Sequence, residues 1–340
     1  MVTKRQRTLT IGASAACAAV GLTVVLILAF TGSPAPRAAP RPAVVTPTPR
    51  PAARQLLSPF TGEPIRSLSP VLTAKIDNIV TARPQTGLRS ADIVYVLPVE
   101  GGLSRFLAVF SSHVPPVIGP VRSAREDDLE LLRQFGRPAL AFSGATPHLL
   151  PFVQRARIVD LYAGTAGGYF RSAARVAPDN LYAKTSALLE QAKAGRASAA
   201  RDIGFRFSSA PPPGGRRASS FAASYPAASF VFRWSSSARR WLVSMDGAPA
   251  RDTDGGQLGG ATVVIQYTVV RTSRFLEYGK PPPFAQSDGS GKAVVLRDGR
   301  AYDVTWSRPS QDGGTVYRLP SGERMTFARG QVWVLLVAAR

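Results

Sequence analysis

The amino-acid sequence predicts an α+β fold: a mixed α/β N-terminal domain at residues 58–207, followed by a smaller, mostly antiparallel β C-terminal domain at residues 225–340. Three observations predict this arrangement. Strand-like apolar runs alternate with helical patterns in the first region. A linker rich in proline, glycine and serine follows at residues 208–224. The last region consists of short apolar runs separated by turn dipeptides such as Asp298–Gly299.

Residues 1–30 are typical of a signal anchor. An uncharged segment at residues 9–30 follows Lys4, Arg5 and Arg7, and as a helix it would be about 33 Å long, enough to cross a hydrocarbon core of ~30 Å. Basic residues before such a segment favour an N-terminus on the cytoplasmic side of the membrane. We therefore expect a single-pass membrane protein with its ectodomain outside the cytoplasm. Secretion after signal cleavage is the alternative, because small residues follow the apolar segment.

Residues 31–57 form a Pro/Ala-rich linker between this segment and the folded part, which we expect to begin near Ser58. Proline at this density resists packing and favours extended polyproline II, which rises about 3.1 Å per residue. The linker would therefore hold the folded domains away from a membrane surface.

Apolar runs and helical periodicity predict the elements of the first domain. The predicted strands are 71–77, 92–99, 105–112 and 138–144, and the predicted helices are 123–135, 146–156 and 185–195. Several of these strands are almost entirely apolar, as in sheets that are buried on both faces. The first helix is predicted to begin with a capping box formed by Ser123 and Glu126.

Seven further runs predict the strands of the second domain, at residues 229–234, 239–245, 261–270, 292–297, 301–306, 315–319 and 331–339. The clearest hairpin surrounds the Asp298–Gly299 turn, because this dipeptide favours the tight turns that join antiparallel strands. A domain with so many turn-linked strands is expected to be mostly antiparallel.

The formal net charge of +21 is typical of nucleic-acid-binding proteins, but its distribution argues against that class. Residues 1–57 carry seven basic and no acidic residues, so +14 is spread over the rest of the chain. No nucleic-acid-binding motif is present, and the predicted anchor would place the domains outside the cytoplasm. We therefore expect no nucleic-acid partner. The single cysteine and two histidines have no metal-ligand spacing, so no metal and no cofactor is expected.

A polar cluster between residues 75 and 125 contains the candidate site. Its charged side chains lie beside glycines at the ends of predicted strands, where α/β sheets place their ligand sites. The candidate ligand-binding residues are Asp77, Asn78, Glu100, Arg105, Arg122, Ser123 and Arg125. Arg122 and Arg125 lie where a helix is predicted to begin, and cations there are unfavourable unless acids or an anionic ligand compensate them.

Two interpretations of this cluster remain open at the level of sequence. In one, Arg105, Arg122 and Arg125 hold an anionic or carboxylate-bearing ligand together with backbone N–H groups. In the other, the arginines form an internal network with Asp77 and Glu100. The catalytic alternative makes Asp77 and Glu100 an acid–base pair.

Several motifs of the folded part occur in the order found in one bacterial family. They include SPFTGEP (58–64), KIDN (75–78), ARPQTGL (82–88), VEGGLSRF (99–106), IGPVRSAR (118–125) and GQVWV (330–334). In these motifs the chain resembles the YerB-like lipoproteins, a family known as domain of unknown function 3048. The resemblance implies a membrane-attached, extracytoplasmic protein with an N-terminal domain and a β-rich C-terminal domain. It implies no particular activity.

The chain departs from this family at residues that would matter for catalysis. The resemblance implies a histidine at the position of Asp179, a glutamate at that of Val96 and a second histidine within residues 141–147. It also implies a lipidated cysteine, where this chain has the long apolar segment. The loss of two histidines and an acid favours binding or scaffolding over enzymatic activity.

The sequence thus predicts a membrane-tethered envelope protein that binds an anionic or carboxylate-bearing ligand, such as a cell-envelope polymer. Two alternatives stay open. An envelope hydrolase or transferase would use Asp77 and Glu100 and requires both carboxylates to face one accessible cleft. A scaffold would bind a protein partner through the β-rich domain and requires an exposed apolar patch or an unprotected edge strand within residues 225–340.

Overall fold

The computed structural model describes residues 55–277 and 279–339, and strands account for most of their regular structure. The helices are α1 (Glu126–Leu132), α2 (Leu150–Arg155) and α3 (Thr185–Ala194), with single 3-10 turns at Val80–Ala82, Leu88–Ser90, Glu100–Gly102 and Arg133–Phe135. The predicted class, a mixed α/β sheet with separate antiparallel β sheets, is confirmed.

The strands follow one another in three groups along the chain. The first group is β1 (Leu72–Ile76), β2 (Ile93–Pro98), β3 (Ser104–Phe110), β4 (Val117–Ile118), β5 (Ala139–Phe142), β6 (Val159–Tyr162), β7 (Tyr169–Arg171) and β8 (Leu181–Lys184). The second is β9 (Arg216–Arg217), β10 (Ser220–Tyr225), β11 (Ala228–Ser235), β12 (Arg240–Met245), β13 (Ala248–Pro249) and β14 (Gly259–Gly260). The third is β15 (Thr262–Thr268), β16 (Val270–Thr272), β17 (Pro283–Ala285), β18 (Gly289–Arg297), β19 (Arg300–Arg308), β20 (Val316–Arg318) and β21 (Val332–Ala338).

The main sheet has eleven strands, in the order β20-β19-β18-β15-β21-β2-β3-β1-β5-β6, with β9 paired to β19. The last strand, β21, lies between β2 and β15 and is parallel to both. The sheet therefore takes strands from both sides of the predicted linker at residues 208–224. The division into two domains at that linker stays a prediction.

Strand direction gives this sheet two distinct edges. The strands β6, β5, β1, β2, β21 and β15 all run the same way, as their parallel pairings and the antiparallel partner β3 show. Their ends therefore meet at one edge, which we call the carboxyl edge, and their starts meet at the opposite amino edge. Ligand sites of open sheets that contain parallel strands gather at the carboxyl edge.

Both faces are buried in the middle of the main sheet, and β21 shows this most clearly. Val332, Val334 and Leu336 belong to one apolar core, whereas Trp333 and Leu335 belong to the other. This alternation follows from the period of two in a strand. Because both faces of β21 are covered, its sequence is an unbroken apolar run.

A second sheet, β10-β11-β12-β13 with β14 on β12, packs against one face of the main sheet. Trp333 of β21 lies at the junction. Its ring is 5.6 Å from that of Phe106 on β3 and 6.0 Å from that of Phe232 on β11, both in edge-on geometry. The buried indole thus joins the two sheets. Smaller sheets are formed by β4-β8-β7 and by β16-β17.

The predicted strands are all present, and the structure adds short ones that have no sequence signal of their own. The predicted capping box of Ser123 and Glu126 is wrong. Helix α1 begins at Glu126, and the carboxylate of Asp128 accepts a hydrogen bond from the backbone N–H of Arg125 at 2.7 Å. An acid three residues after the N-cap satisfies a donor that the helix itself leaves unpaired.

The predicted anchor at residues 1–30 and nearly all of the linker at 31–57 lie outside the described residues. Within the part that the structure describes, every helix is too short or too polar to cross a membrane.

Replacing Trp333 with alanine should lower the free energy of unfolding by about 3–5 kcal/mol, since the change leaves a large cavity between the two sheets. Phe170→Ala is the control, because its ring is 37% exposed on β7, and it should cost about 1 kcal/mol or less. Urea unfolding of the two variants measures the difference. Equal losses in both would contradict the role of Trp333 in joining the sheets.

Candidate functional site

The carboxyl edge brings together five of the seven residues predicted for the site. Asp77 directly follows β1, Glu100 lies in the 3-10 turn after β2, and Arg105 lies near the start of the antiparallel strand β3. Arg122 and Arg125 lie in the extended segment before α1. These side chains converge because the strand ends on which they lie are neighbours in the sheet.

Asp77 is fully buried and is held on both of its oxygens. Its Oδ2 accepts a hydrogen bond from Nε of Arg122 at 2.5 Å, and its Oδ1 accepts one from the backbone N–H of Asn78 at 2.8 Å. Nε of Arg105 lies 3.8 Å from Oδ1. A buried carboxylate needs such partners, because desolvation would otherwise make the charge very costly.

Glu100 is shared between two arginines. Its Oε1 accepts from Nη2 of Arg105 at 2.8 Å and from Nη2 of Arg125 at 2.5 Å, and its Oε2 accepts from Nε of Arg125 at 3.0 Å. Burial would raise the pKa of Glu100, but the hydrogen bond from Arg125 and the charges of Arg105 and Arg125 outweigh it and lower the pKa to about 2. Glu100 is therefore ionised across the physiological range.

Arg125 also reaches the C-terminal half of the chain. Its Nη2 lies 3.1 Å from Oε1 of Glu277, which lies in the loop between β16 and β17. The sequence analysis missed Glu277, because nothing in a single sequence indicates a contact between residues so far apart.

Asn78 and Ser123 form hydrogen bonds at the periphery of this network. The amide of Asn78 donates to Oγ of Ser104 at 3.0 Å and accepts from Gln85 at 3.1 Å. The carbonyl of Ser123 accepts a long hydrogen bond of 3.4 Å from Arg105. The structure thus shows the internal network, one of the two sequence interpretations, and ligand binding by these seven residues stays a prediction.

A second buried charge pair lies behind the network. Nζ of Lys75 is 2.6 Å from Oδ1 of Asp128, and both side chains are fully buried. Asp127 beside them is also buried, and neither of its carboxylate oxygens has a side-chain hydrogen-bond partner. Burial raises the pKa of Asp127 to about 7, although the Lys75 ammonium opposes the rise. No pattern in the sequence indicates that these carboxylates are buried.

An open groove of about 800 Å³ lies against the network at the carboxyl edge. Glu100 and Glu277 line it, Lys280 is exposed at its rim, and apolar side chains such as Val270 and Val337 form its walls. Glu277 Oε2 is buried and has no hydrogen-bond partner among the described residues. Asp77 does not line the groove.

Two glycines form the turn that borders the groove. Gly101 and Gly102 have φ of 70° and 72°, in the left-handed region that side chains disfavour. A Cβ on Gly102 would come within 2.8 Å of the Cβ of Pro226, so this turn can approach the second sheet only with glycine. The motif Glu100–Gly101–Gly102 thus fixes the position of the carboxylate relative to the groove wall.

The groove can therefore accept a hydrogen bond at Glu277, attract a negative group at Lys280, and bury apolar surface between them. Metal binding has no support in the described part of the chain, where no group of three or more histidine, cysteine, aspartate or glutamate side chains could hold an ion.

The fold and this groove define an α+β protein with a candidate binding site at the edge of a mixed sheet. The chain belongs to the DUF3048 family. Residues 60–198 match the model described as "Protein of unknown function (DUF3048) N-terminal domain", and residues 221–334 match that of the DUF3048 C-terminal domain. The resemblance proposed from the sequence motifs is confirmed.

Two comparisons concern YerB of Bacillus subtilis. The chain is 45% identical over 78 residues to the protein named "Putative lipoprotein YerB", an alignment that covers 22% of this chain and 23% of that protein. It is similar to the crystal structure of the Bacillus subtilis YerB protein with a TM-score of 0.70 and 21% identity, over 84% of this chain and 97% of that one. The structural likeness shows that the fold is shared.

Replacing Asp127 with asparagine should change how stability depends on pH. Because the pKa of Asp127 is raised from 3.8 to about 7 by folding, the folded chain binds an extra proton between these values and loses stability as pH rises through them. Asp127→Asn should therefore raise the free energy of unfolding by about 1–3 kcal/mol at pH 8 and change it little at pH 4.

Urea unfolding of both proteins across pH 4–8 measures this difference. Asp303→Asn removes an exposed carboxylate on β19 and is the control. A difference between wild type and Asp127→Asn that stays constant from pH 4 to pH 8 would contradict the raised pKa.

Proposed function

We propose that this protein is a membrane-tethered, extracytoplasmic protein whose groove at the carboxyl edge binds a carboxylate-bearing ligand of the cell envelope. The groove beside Glu100 and Glu277 is the observation that carries the proposal. The location is supported by the apolar segment at residues 9–30 and by the name of the YerB relative, a lipoprotein.

The charges around the groove favour a ligand that carries a carboxylate. Lys280 is exposed at the rim and forms no ion pair with any described residue. Arg105 and Arg125, by contrast, are occupied by Glu100 and Glu277. The ligand's negative group therefore pairs with Lys280, while the arginines hold the two glutamates in place.

The remaining surface of the groove favours a ligand of peptide character. The carboxylate of Glu277 lines the groove with its side chain 11% exposed, and it can accept a hydrogen bond from an amide or ammonium N–H. The walls are apolar, and Val269 and Leu276, 60% and 52% exposed, lie next in sequence to the lining residues Val270 and Glu277. A short peptide with a free carboxylate, of the kind that crosslinks cell walls, offers all three features.

The catalytic alternative receives less support from this geometry. Asp77 is buried and paired with Arg122, whereas Glu100 lines the groove, so the two carboxylates do not share one cleft. Asp179, where the family resemblance implies a histidine, is buried and accepts a hydrogen bond from Thr81 at 2.6 Å. No observation specifically favours the scaffold alternative, and it stays a prediction.

Titration calorimetry of the full chain in uncharged detergent, with peptide-containing fragments of bacterial cell wall, tests the proposal. Lys280→Ala should weaken binding about tenfold, because it removes a charge-assisted contact worth roughly 1.5 kcal/mol. Lys193→Ala is the matched control, since Lys193 is exposed on α3, away from the groove. It should bind as the wild type does.

Glu277→Gln tests whether the carboxylate of Glu277 accepts a hydrogen bond from the ligand, and it should also weaken binding. The control is Glu323→Gln, which changes an exposed glutamate away from the groove. Unchanged affinity in both Lys280→Ala and Glu277→Gln would refute binding in the groove. So would the absence of any binding by the wild type.

A further inference from the structure

The amino edge of the main sheet carries a second cavity, of about 610 Å³, which has a different character from the groove. It lies at the starts of β2, β15 and β21, where Asp92, Ala261 and Gln331 form part of its lining. The two cavities therefore lie at opposite ends of the same strands. We call this one the amino-edge cleft.

Four arginines from different elements converge on the amino-edge cleft. Arg89 comes from the 3-10 turn before β2, Arg239 and Arg240 from the β11–β12 hairpin, and Arg329 from the segment before β21. Arg89 is paired with Asp254 at 2.5 Å. Within the part of the chain that is described, the other three form no ion pair.

Most of the acids in the lining are already engaged. Asp92 accepts hydrogen bonds from the backbone N–H groups of Ser111 and Ser112 at 2.6 and 2.8 Å. Asp298 is paired with Arg297 at 2.8 Å. Glu63 is the lining acid that remains without such a partner. Backbone donors leave the negative charge of Asp92 in place, so three arginines against Glu63 and Asp92 leave a local charge of +1 in the cleft.

A third cavity shows that this imbalance is not a general result of an arginine-rich surface. The cavity beside α1 is also lined by four arginines. There Arg133 is paired with Asp312 at 2.8 Å, Arg274 is paired with Glu126 at 2.8 Å, and Arg271 stacks 3.7 Å from the ring of Phe284. The arginines of that cavity are paired with an acid or stacked on an aromatic ring, whereas three of those in the amino-edge cleft have neither kind of partner among the described residues.

Among the arginines of the cleft, Arg240 gives the strongest indication of an anion-binding site. Its side chain is partly buried, its Nη2 donates to the backbone carbonyl of Gly259 and to Oε1 of Gln331, and its Nε is buried with no partner among the described residues. Burial, and then the charge of Arg89, lower the pKa of Arg240. A buried cation that is short of acceptors is costly unless an anion approaches it.

We propose that the amino-edge cleft binds a phosphate group, free or esterified, through Arg239, Arg240 and Arg329. A phosphate brings the negative charge that the cleft lacks and offers several acceptor oxygens, and guanidinium groups bind it through paired N–H donors. Ser208 and Ser209 in the lining add hydroxyl donors. The same chemistry is present in inorganic phosphate and in the headgroup of an anionic phospholipid.

The test uses the full chain in uncharged detergent and titration calorimetry with two probes, inorganic phosphate and dihexanoylphosphatidylglycerol. The variant Arg239→Gln/Arg329→Gln removes two exposed arginines of the cleft and leaves the partly buried Arg240 in place. The control Arg217→Gln/Arg233→Gln makes the same change in net charge at two exposed positions outside the cleft. Unfolding of both in urea verifies that each is folded.

We expect at least one probe to bind the wild type, with affinity at least tenfold weaker in the cleft variant and unchanged in the control. Binding of inorganic phosphate with this pattern supports a site for the phosphate group alone. Binding of the lipid only, with the same pattern, supports the site with an esterified phosphate as its ligand. Failure of both probes to bind, or equal loss in both double variants, overturns the proposal. Neither result depends on the groove at the carboxyl edge.

Discussion

The parallel pairing of β21 with β2 and β15 is the constraint on which the rest of the structure depends. Ile93 through Val96 align with Val332 through Leu335, and β15 aligns with the other side of the same strand. This one insertion turns strands from the two halves of the chain into a single sheet with two defined edges. The groove and the amino-edge cleft are both composites of the two halves for that reason.

Charge compensation explains why the two edges differ. At the carboxyl edge, Asp77, Glu100 and Glu277 neutralise Arg122, Arg105 and Arg125, and burial strengthens each pair. At the amino edge, Asp92 is held by backbone donors and Asp298 by Arg297, so three of the four arginines there form no ion pair with a described residue.

Much of the fold could be predicted from sequence, because apolar runs and turn dipeptides report local structure directly. The segments at 71–77 and 331–339 are recognisable as strands, but nothing in them specifies which strand lies beside which. Likewise, Asp77 and Glu100 could be placed in the site, since both follow strands. Their partner Glu277 could not, because its contact with Arg125 spans 152 residues. The predicted capping box of Ser123 and Glu126 is wrong because the helix begins later, and the carboxylate that accepts from the N-cap N–H is that of Asp128, three residues after Arg125.

The position of β21 also governs when this protein can finish folding. β2 obtains its parallel neighbour from β21, a strand far from it in sequence, so the pairing of β2 stays incomplete until β21 is inserted beside it. Contacts of such long sequence separation form slowly. The hairpins of neighbouring strands, such as β2–β3 and β10–β11, can form before this step, but the main sheet is continuous only once β21 has been inserted. The last step of folding is therefore the one that joins the two edges of the sheet into one unit.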